Sequence, residues 1–186
     1  MQRHDHPDRP LNPYPDSWER LEGFEYLSAL SLIRPLNSLQ NRLGEDADYI
    51  LQHDFNVALR IDGERRAITV PRGLITDLTS APKLLRVLIG RVGPWLEAAI
   101  LHDYLYIAWQ DVPGKQPTPR DRRFADCAML LGMEAARVSY VTRWAIFLFL
   151  RAFGGGVYRV PNEKRYVDLD APELRGSLAF SLPARP

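Results

Sequence analysis

The stretch that most constrains the fold runs from residue 55 to residue 70 and reads FNVALRIDGERRAITV. Asp62-Gly63 is a dipeptide typical of a two-residue hairpin turn, and residues 67–70 after it have β-forming composition. We therefore predict a β-hairpin with one buried face inside the segment from about 49 to 76. Apolar residues occupy every second position before the turn, the period of a half-buried strand: Phe55, Val57, Leu59 and Ile61.

Helical signals follow this hairpin. Thr118-Pro119-Arg120-Asp121 combines an N-cap hydroxyl, a first-turn proline and an acid three residues after the cap. The last apolar segment is expected to end at Gly154-Gly155-Gly156. We predict an α+β fold, a small antiparallel sheet or hairpin packed on a bundle of about four helices, with irregular Pro-rich ends. The four predicted helices span about 82–90, 94–109, 119–133 and 136–153.

The chain has the length and apolar content of one domain, with 186 residues and 46% hydrophobic residues. Residues 1–20 carry four prolines among polar residues, which predicts a flexible arm. Residues 21–160 are expected to form a single globular domain, and residues 161–186 a tail.

Composition excludes several classes of protein. Lys and Arg number 24 against 23 Asp and Glu, so no overall field draws the chain to nucleic acid or to an anionic membrane. Cys127 is the single cysteine, which excludes an intrachain disulfide framework and favours the host cytoplasm. The N-terminus lacks the order of a secretion signal, and no apolar run approaches the ~20 residues of a transmembrane helix.

One constellation of residues can support chemistry. His102 and Tyr106 are four apart and share a face of the predicted second helix, with Asp103 one step around. Asp126 falls in the middle turns of the next, antiparallel helix, where it can face His102. A carboxylate bonded to one imidazole nitrogen fixes the tautomer and leaves the other nitrogen to accept a proton.

The segment AAILHDYLY, residues 98–106, resembles the His-Asp-x-x-Tyr helix of the phospholipases A2, especially the disulfide-free type of parvovirus capsid proteins. The resemblance covers about residues 93–130 and includes an aspartate on the following helix. It implies that His102 is the general base and Asp103 a Ca²⁺ ligand. It also implies that Asp126 orients the histidine and that Tyr106 supports the site by hydrogen bonding.

A wider resemblance rests on VPRGLITDLTSAP at residues 70–82, together with the His-Asp-Tyr-Leu-Tyr segment and Ala125-Asp126. Over roughly residues 50–155 the chain is similar to an uncharacterised family of small phage and bacterial proteins. This resemblance implies that Asp77 joins the other polar residues as a second metal ligand. Such a cluster suits another divalent cation, Mg²⁺, Mn²⁺ or Zn²⁺, as well as Ca²⁺.

Two functions from different classes remain open. The first is a phage- or prophage-type hydrolase with a phospholipase-A2-like centre, acting on a lipid or small ester by resemblance, or on a peptide, cell-wall or phosphoester bond. The second is a non-enzymatic virion, tail or assembly component whose terminal arms bind phage structural proteins. In the second, His102 and Asp126 are a buried polar pair, and Asp77 is a turn residue bonded to nearby amides.

Overall fold

The computed structural model of the chain describes residues 12–34, 49–76, 93–161 and 166–170. Within these residues, two antiparallel sheets of three strands accompany three α-helices. The predicted α+β class is therefore confirmed. No helix in these ranges combines the length and the apolar content needed to cross a bilayer.

The predicted hairpin is present at the expected turn. Its two strands pair in register from Phe55 opposite Val70 to Ile61 opposite Glu64. Asp62 and Gly63 both have positive φ, 50° and 86°, as a two-residue turn that matches strand twist requires. The strands are β1 (Leu21–Tyr26), β2 (Leu32–Ile33), β3 (Tyr49–Leu51), β4 (Phe55–Ile61), β5 (Glu64–Val70) and β6 (Ile75–Thr76).

The sheets are larger than the hairpin alone, because two strands before residue 49 join them. The first sheet has the order β1-β4-β5 and the second the order β2-β3-β6. In β1 the pairing with β4 shifts register between Glu22 and Phe24, on either side of Gly23 at a φ of 65°. This bulge interrupts the alternation of apolar residues, and β2 has only two residues, so neither strand has a recognisable sequence pattern.

Three α-helices occur in the described ranges, rather than the predicted four. The predicted first helix, about 82–90, lies outside the described residues. The helix predicted to begin at about residue 119 has the expected start. The Thr118 hydroxyl accepts a hydrogen bond from the backbone N–H of Asp121 at 3.0 Å. The helices are α1 (Leu96–Ile107), α2 (Pro119–Ala135) and α3 (Tyr140–Arg159), and a 3-10 helix (Ala108–Asp111) follows α1.

The prediction that the last helix ends before the three glycines is wrong, because α3 continues to Arg159. Close packing explains two of the glycines. A Cβ on Gly154 would lie 2.5 Å from the Tyr106 hydroxyl, and one on Gly155 would lie 2.5 Å from the Arg122 Nη1. Tertiary contacts that need a bare backbone therefore outweigh the low helix propensity of glycine.

The core joins the first sheet to the inner faces of the helices and also includes Tyr14, from the segment predicted as an arm. Tyr14 is fully buried, and its hydroxyl donates to the Leu105 carbonyl and accepts from the Trp109 N–H at 3.1 Å. The hydroxyl thereby bonds two backbone groups at the end of α1. Beyond residue 161, Tyr166 forms a bridge with Leu74.

Candidate active site

Helix α1 carries three of the predicted site residues. Its sequence is rich in Ala and Leu, which favour helix, and Glu97 in the first turn complements the helix dipole. His102 and Tyr106 both lie on the buried side of this helix, and their ring centroids are 4.0 Å apart. The predicted shared face of these two residues is therefore present.

Asp126 meets His102 from α2, as the antiparallel arrangement of the two helices predicts. The His102 Nε2 lies 3.0 Å from the Asp126 Oδ1. Asp126 is fully buried and His102 is 5% exposed. With the proton on Nε2, the ring donates to this carboxylate and Nδ1 keeps its lone pair. The pair thus has the arrangement of a histidine held in one tautomer by a carboxylate.

Tyr106 supports the same carboxylate. Its hydroxyl donates to the Asp126 Oδ1 at 2.7 Å. Burial, followed by the charge of Asp126, raises the pKa of this phenol well above its ordinary value of 10.0. Tyr106 consequently stays protonated and acts as a donor that holds Asp126 in place, not as a general base.

Two arginines complete the cluster, and the sequence interpretation did not include either of them in the site. Arg151 from α3 donates from Nη1 to the Asp126 Oδ2 at 2.7 Å. Arg122 from α2 has its Nε 4.0 Å from the same oxygen, and its Nη2 donates to the Arg151 carbonyl at 3.0 Å. Asp126 therefore accepts charge-assisted hydrogen bonds at the point where all three helices meet.

The signal that could have found Arg151 is its position on an otherwise apolar helix. Between Trp144 and Phe153 it is the single charged residue. A long cation in such a setting needs a carboxylate partner if its head group turns inward. The prediction of this helix rests on its apolar residues and gives Arg151 no role.

Asp103 lies on the other side of the imidazole. Its Oδ1 is 4.0 Å from the His102 Nδ1, beyond direct hydrogen-bond distance, and its side chain is 31% exposed. The Thr76 hydroxyl, at the end of β6, donates to the Asp103 Oδ2 at 2.7 Å. Asp103 is thus oriented by the second sheet and marks the more solvent-exposed side of the histidine.

The charges around His102 set its protonation. Burial lowers the pKa of His102, but the neighbouring Asp103 and Asp126 carboxylates outweigh it and hold the pKa above its ordinary 6.5. Burial alone would raise the pKa of Asp126, yet its bonds to His102, Arg151 and Tyr106 bring it below its ordinary 3.8. Asp126 is therefore ionised at neutral pH, and His102 is a stronger base than a free imidazole.

The geometry supports the predicted metal ligands less than it supports the predicted contact between His102 and Asp126. Asp77 lies outside the described residues. Among the residues that the structure describes, no three His, Cys, Asp or Glu side chains are grouped so as to hold a metal ion. Asp103 offers one carboxylate, whereas Ca²⁺ takes ~6–8 oxygen ligands. The described donor set does not by itself fit a complete calcium site.

Two surface clefts of the described chain lie away from this cluster. One, of about 210 Å³, is lined by residues of β1, β4 and β5. The other, of about 520 Å³, lies at the hairpin turn beside Glu19 and Asp62. Neither combines a histidine with a carboxylate. Cys127, next to Asp126 in sequence, is half-buried, and burial raises the pKa of its thiol, which disfavours a thiolate nucleophile.

Comparison with known proteins identifies one family. A family described as proteins of unknown function, DUF1353, matches residues 51–150 of the chain. This span contains β4, β5, α1 and α2, and with them His102, Asp103, Tyr106 and Asp126, whereas Arg151 lies one residue beyond it. The match confirms the predicted likeness to an uncharacterised family. The likeness to phospholipases A2 stays a prediction. No curated protein and no solved structure matches the chain.

Proposed function

The chain belongs to the DUF1353 family of proteins of unknown function, and we propose that it is a hydrolase in which His102 is the general base. The observation that carries the proposal is the contact between this ring and a buried carboxylate. Its Nε2 faces the buried Asp126 at 3.0 Å, so Nδ1, on the side of the part-exposed Asp103, is the nitrogen that accepts a proton.

In the proposed reaction, Nδ1 takes a proton from a water molecule as the water oxygen bonds to the carbonyl carbon of an ester. The resulting imidazolium is stabilised by the Asp126 carboxylate, which Tyr106 and Arg151 hold in place. When the tetrahedral intermediate collapses, the carbon–oxygen bond to the alcohol breaks and Nδ1 returns its proton to the leaving oxygen. The ester class comes from the resemblance to phospholipases A2.

The matched test exploits a second His-Asp dipeptide in the chain, His53-Asp54, whose histidine is exposed. Release of fatty acid from phospholipid and of alcohol from a short-chain ester is measured for wild type, His102→Gln and His53→Gln. Loss of the base should lower kcat/KM by about 10²–10⁴-fold in His102→Gln. His53→Gln should keep full activity, and circular dichroism checks that both variants fold.

The pH profile supplies a second criterion. His102 acts as a base only when its ring is neutral, and its pKa lies above 6.5. Activity should therefore rise with pH along a limb centred above pH 6.5. Activity that is unchanged in His102→Gln, or that falls as pH rises through this range, would contradict the proposal.

A second candidate, a non-enzymatic assembly component, is favoured by one observation. Asp126 is fully buried and receives hydrogen bonds from side chains of α1 and α3, as a structural pin between helices would. Under this candidate the wild type releases no alcohol or fatty acid from any ester, while Asp126→Asn still loses stability. Phage origin, virion association and a cytoplasmic location stay predictions under both candidates.

A further inference from the structure

One polar contact beside His102 is longer than a hydrogen bond. The Asp103 Oδ1 lies 4.0 Å from the His102 Nδ1, whereas the Asp126 Oδ1 lies 3.0 Å from Nε2 on the other side of the ring. Polar atoms more than about 3.5 Å apart can interact through a bridging water molecule. Two hydrogen bonds of about 2.8 Å that span 4.0 Å meet at about 90° at the water oxygen, close to the angle between the two O–H bonds of water.

Solvent reaches the Asp103 side of the ring. The Asp103 side chain is 31% exposed, whereas Asp126 on the opposite side is fully buried. A carboxylate oxygen and a neutral imidazole nitrogen both accept hydrogen bonds, and a water molecule has two hydrogens to donate. A protonated ring donates to the same water instead, so the bridge requires no particular protonation state of His102. Such a water needs two protein atoms, whereas Ca²⁺ takes ~6–8 oxygen ligands.

Thr76 fixes the direction of the Asp103 carboxylate. Its hydroxyl donates to the Asp103 Oδ2 at 2.7 Å. Because the carboxylate is planar and attached at Cβ, holding Oδ2 also fixes the position of Oδ1. Thr76 is 2% exposed, and its backbone pairs with Tyr49 of β3 in the second sheet. The donor is therefore buried on a paired strand, which holds it in a constant position.

We propose that the His102 Nδ1 and the Asp103 Oδ1 together bind one water molecule, and that Thr76 is the positioning residue that holds Asp103 toward it. With both hydrogens bonded to the protein, the water oxygen directs its lone pairs away from these two acceptors. Asp103 thereby contacts the nucleophile itself and has a catalytic role different from the calcium ligation that the resemblance implies.

The chemical role of this water rests on the proposed hydrolase. The water oxygen bonds to the carbonyl carbon of the ester, and the π electron pair of the carbonyl moves to its oxygen. One proton passes from the water to the His102 Nδ1. The second hydrogen stays on the attacking oxygen, bonded to Asp103, and becomes the hydroxyl hydrogen of the acid product. Asp103 thus orients the water while His102 removes its proton.

The first experiment is crystallography of the full chain, which detects the water whether or not the protein is active. Wild type and Thr76→Ser should each hold a water oxygen within about 3.2 Å of both Nδ1 and Oδ1. Thr76→Val keeps the shape of the side chain and removes its donor, so Asp103 should turn and the bridging water should be lost. The matched control is Thr69→Val, which removes a hydroxyl bonded at 2.7 Å to Asn56 in the first sheet and should keep the water.

The second experiment measures ester release by the same variants. Thr76→Val should lower kcat about tenfold or more and change KM less than about twofold, because a misplaced water slows the chemical step and not substrate binding. Thr76→Ser restores the donor and should recover most of the rate, and Thr69→Val should keep it. If Thr76→Val does not fold, Asp103→Asn at this part-exposed position replaces it. Its amide oxygen accepts from Thr76, so its NH₂ stands at the Oδ1 position, cannot accept from the water, and should abolish the bridge.

Three results would overturn the proposal. The first is a wild-type crystal structure with no water bonded to both atoms, and the second is a direct contact between Nδ1 and Oδ1 below about 3.2 Å. The third is a bridging water or a kcat that is the same in Thr76→Val as in Thr69→Val. A wild type that releases no ester product would refute the hydrolase alone, because the crystal structures would still decide the water site.

Discussion

Asp126→Asn is the sharpest test of the polar cluster, because it keeps the shape of the side chain and removes its charge. The carboxylate accepts from the Tyr106 hydroxyl, from the Arg151 guanidinium and from the His102 ring. Tyr106 and His102 both donate to Oδ1, so an amide oxygen at that position can keep both bonds, but the amide NH₂ then replaces Oδ2 and faces the Arg151 guanidinium. At least one charge-assisted hydrogen bond is lost inside a fully buried site.

The expected cost follows from these contacts. A hydrogen bond to a charged group contributes about 1.5–3 kcal/mol, and breaking a buried ion pair costs about 3–5 kcal/mol. The Arg151 side chain is 32% exposed, so water recovers part of its interaction. We therefore expect Asp126→Asn to lower the free energy of unfolding by about 2–4 kcal/mol, measured by urea denaturation with tryptophan fluorescence.

The control is Glu25→Gln, the same acid-to-amide change in an exposed pair. Glu25 and Arg65 lie 3.1 Å apart, with side chains 57% and 52% exposed. Such surface pairs contribute about 0–1 kcal/mol, so this variant should denature almost as wild type does. If Asp126→Asn lost no more stability than Glu25→Gln, the cluster would not be holding the three helices together, and our account of it would fail.

The same variant should change the pH dependence of stability. His102 has a raised pKa in the folded state, so its contribution is fully present below pH 6.5 and is lost as pH rises through the raised pKa. Asp126 has a lowered pKa, so its contribution is present above pH 3.8 and is lost as pH falls through the lowered pKa. Asp126→Asn should flatten both limbs of the curve.

Three further predictions concern single contacts. Gly156→Ala should raise the free energy of unfolding by about 0.5–1 kcal/mol, because the added methyl meets open space. Gly154→Ala should lower the free energy of unfolding, because its methyl would lie 2.5 Å from the Tyr106 hydroxyl. The reverse order of urea midpoints would contradict the packing of α3. Tyr14→Phe should lower the free energy of unfolding, measured by thermal denaturation, by about 1–3 kcal/mol, since two buried backbone groups lose their hydrogen-bond partner. A change below about 0.5 kcal/mol would refute this role of the hydroxyl. If Asp103 binds Ca²⁺, calcium should raise the Tm of wild type and not that of Asp103→Asn, and equal shifts in both would exclude Asp103 as a ligand.

The parts of the fold that follow from local sequence were predictable. The β4–β5 hairpin has regular alternation and a turn dipeptide that tolerates positive φ, and the start of α2 has a complete capping signal. The two strands before residue 49 were not predictable, because β1 contains a bulge and β2 has only two residues. The length of α3 was missed because the reason for its glycines, contact with Tyr106 and Arg122, lies on other helices.

The candidate site divides in the same way. His102 and Asp126 could be paired from helix periodicity and an antiparallel connection, and Tyr106 follows from the four-residue spacing. Arg151 could not be placed, because it reaches Asp126 from a third helix whose rotation the sequence does not specify. The role of Thr76 as the donor to Asp103 likewise depends on how the second sheet meets α1.

The buried tyrosine at position 14 has a practical consequence for handling the protein. The family match begins at residue 51, yet the Tyr14 hydroxyl and the five-pair ladder between β1 and β4 both come from earlier residues. A fragment trimmed to 51–150 would leave one side of β4 without its backbone partners. It would also end α3 at Leu150, one residue before Arg151, which bonds Asp126. Expression of that fragment should yield an aggregating product, so the unit for cloning is longer than the family boundaries.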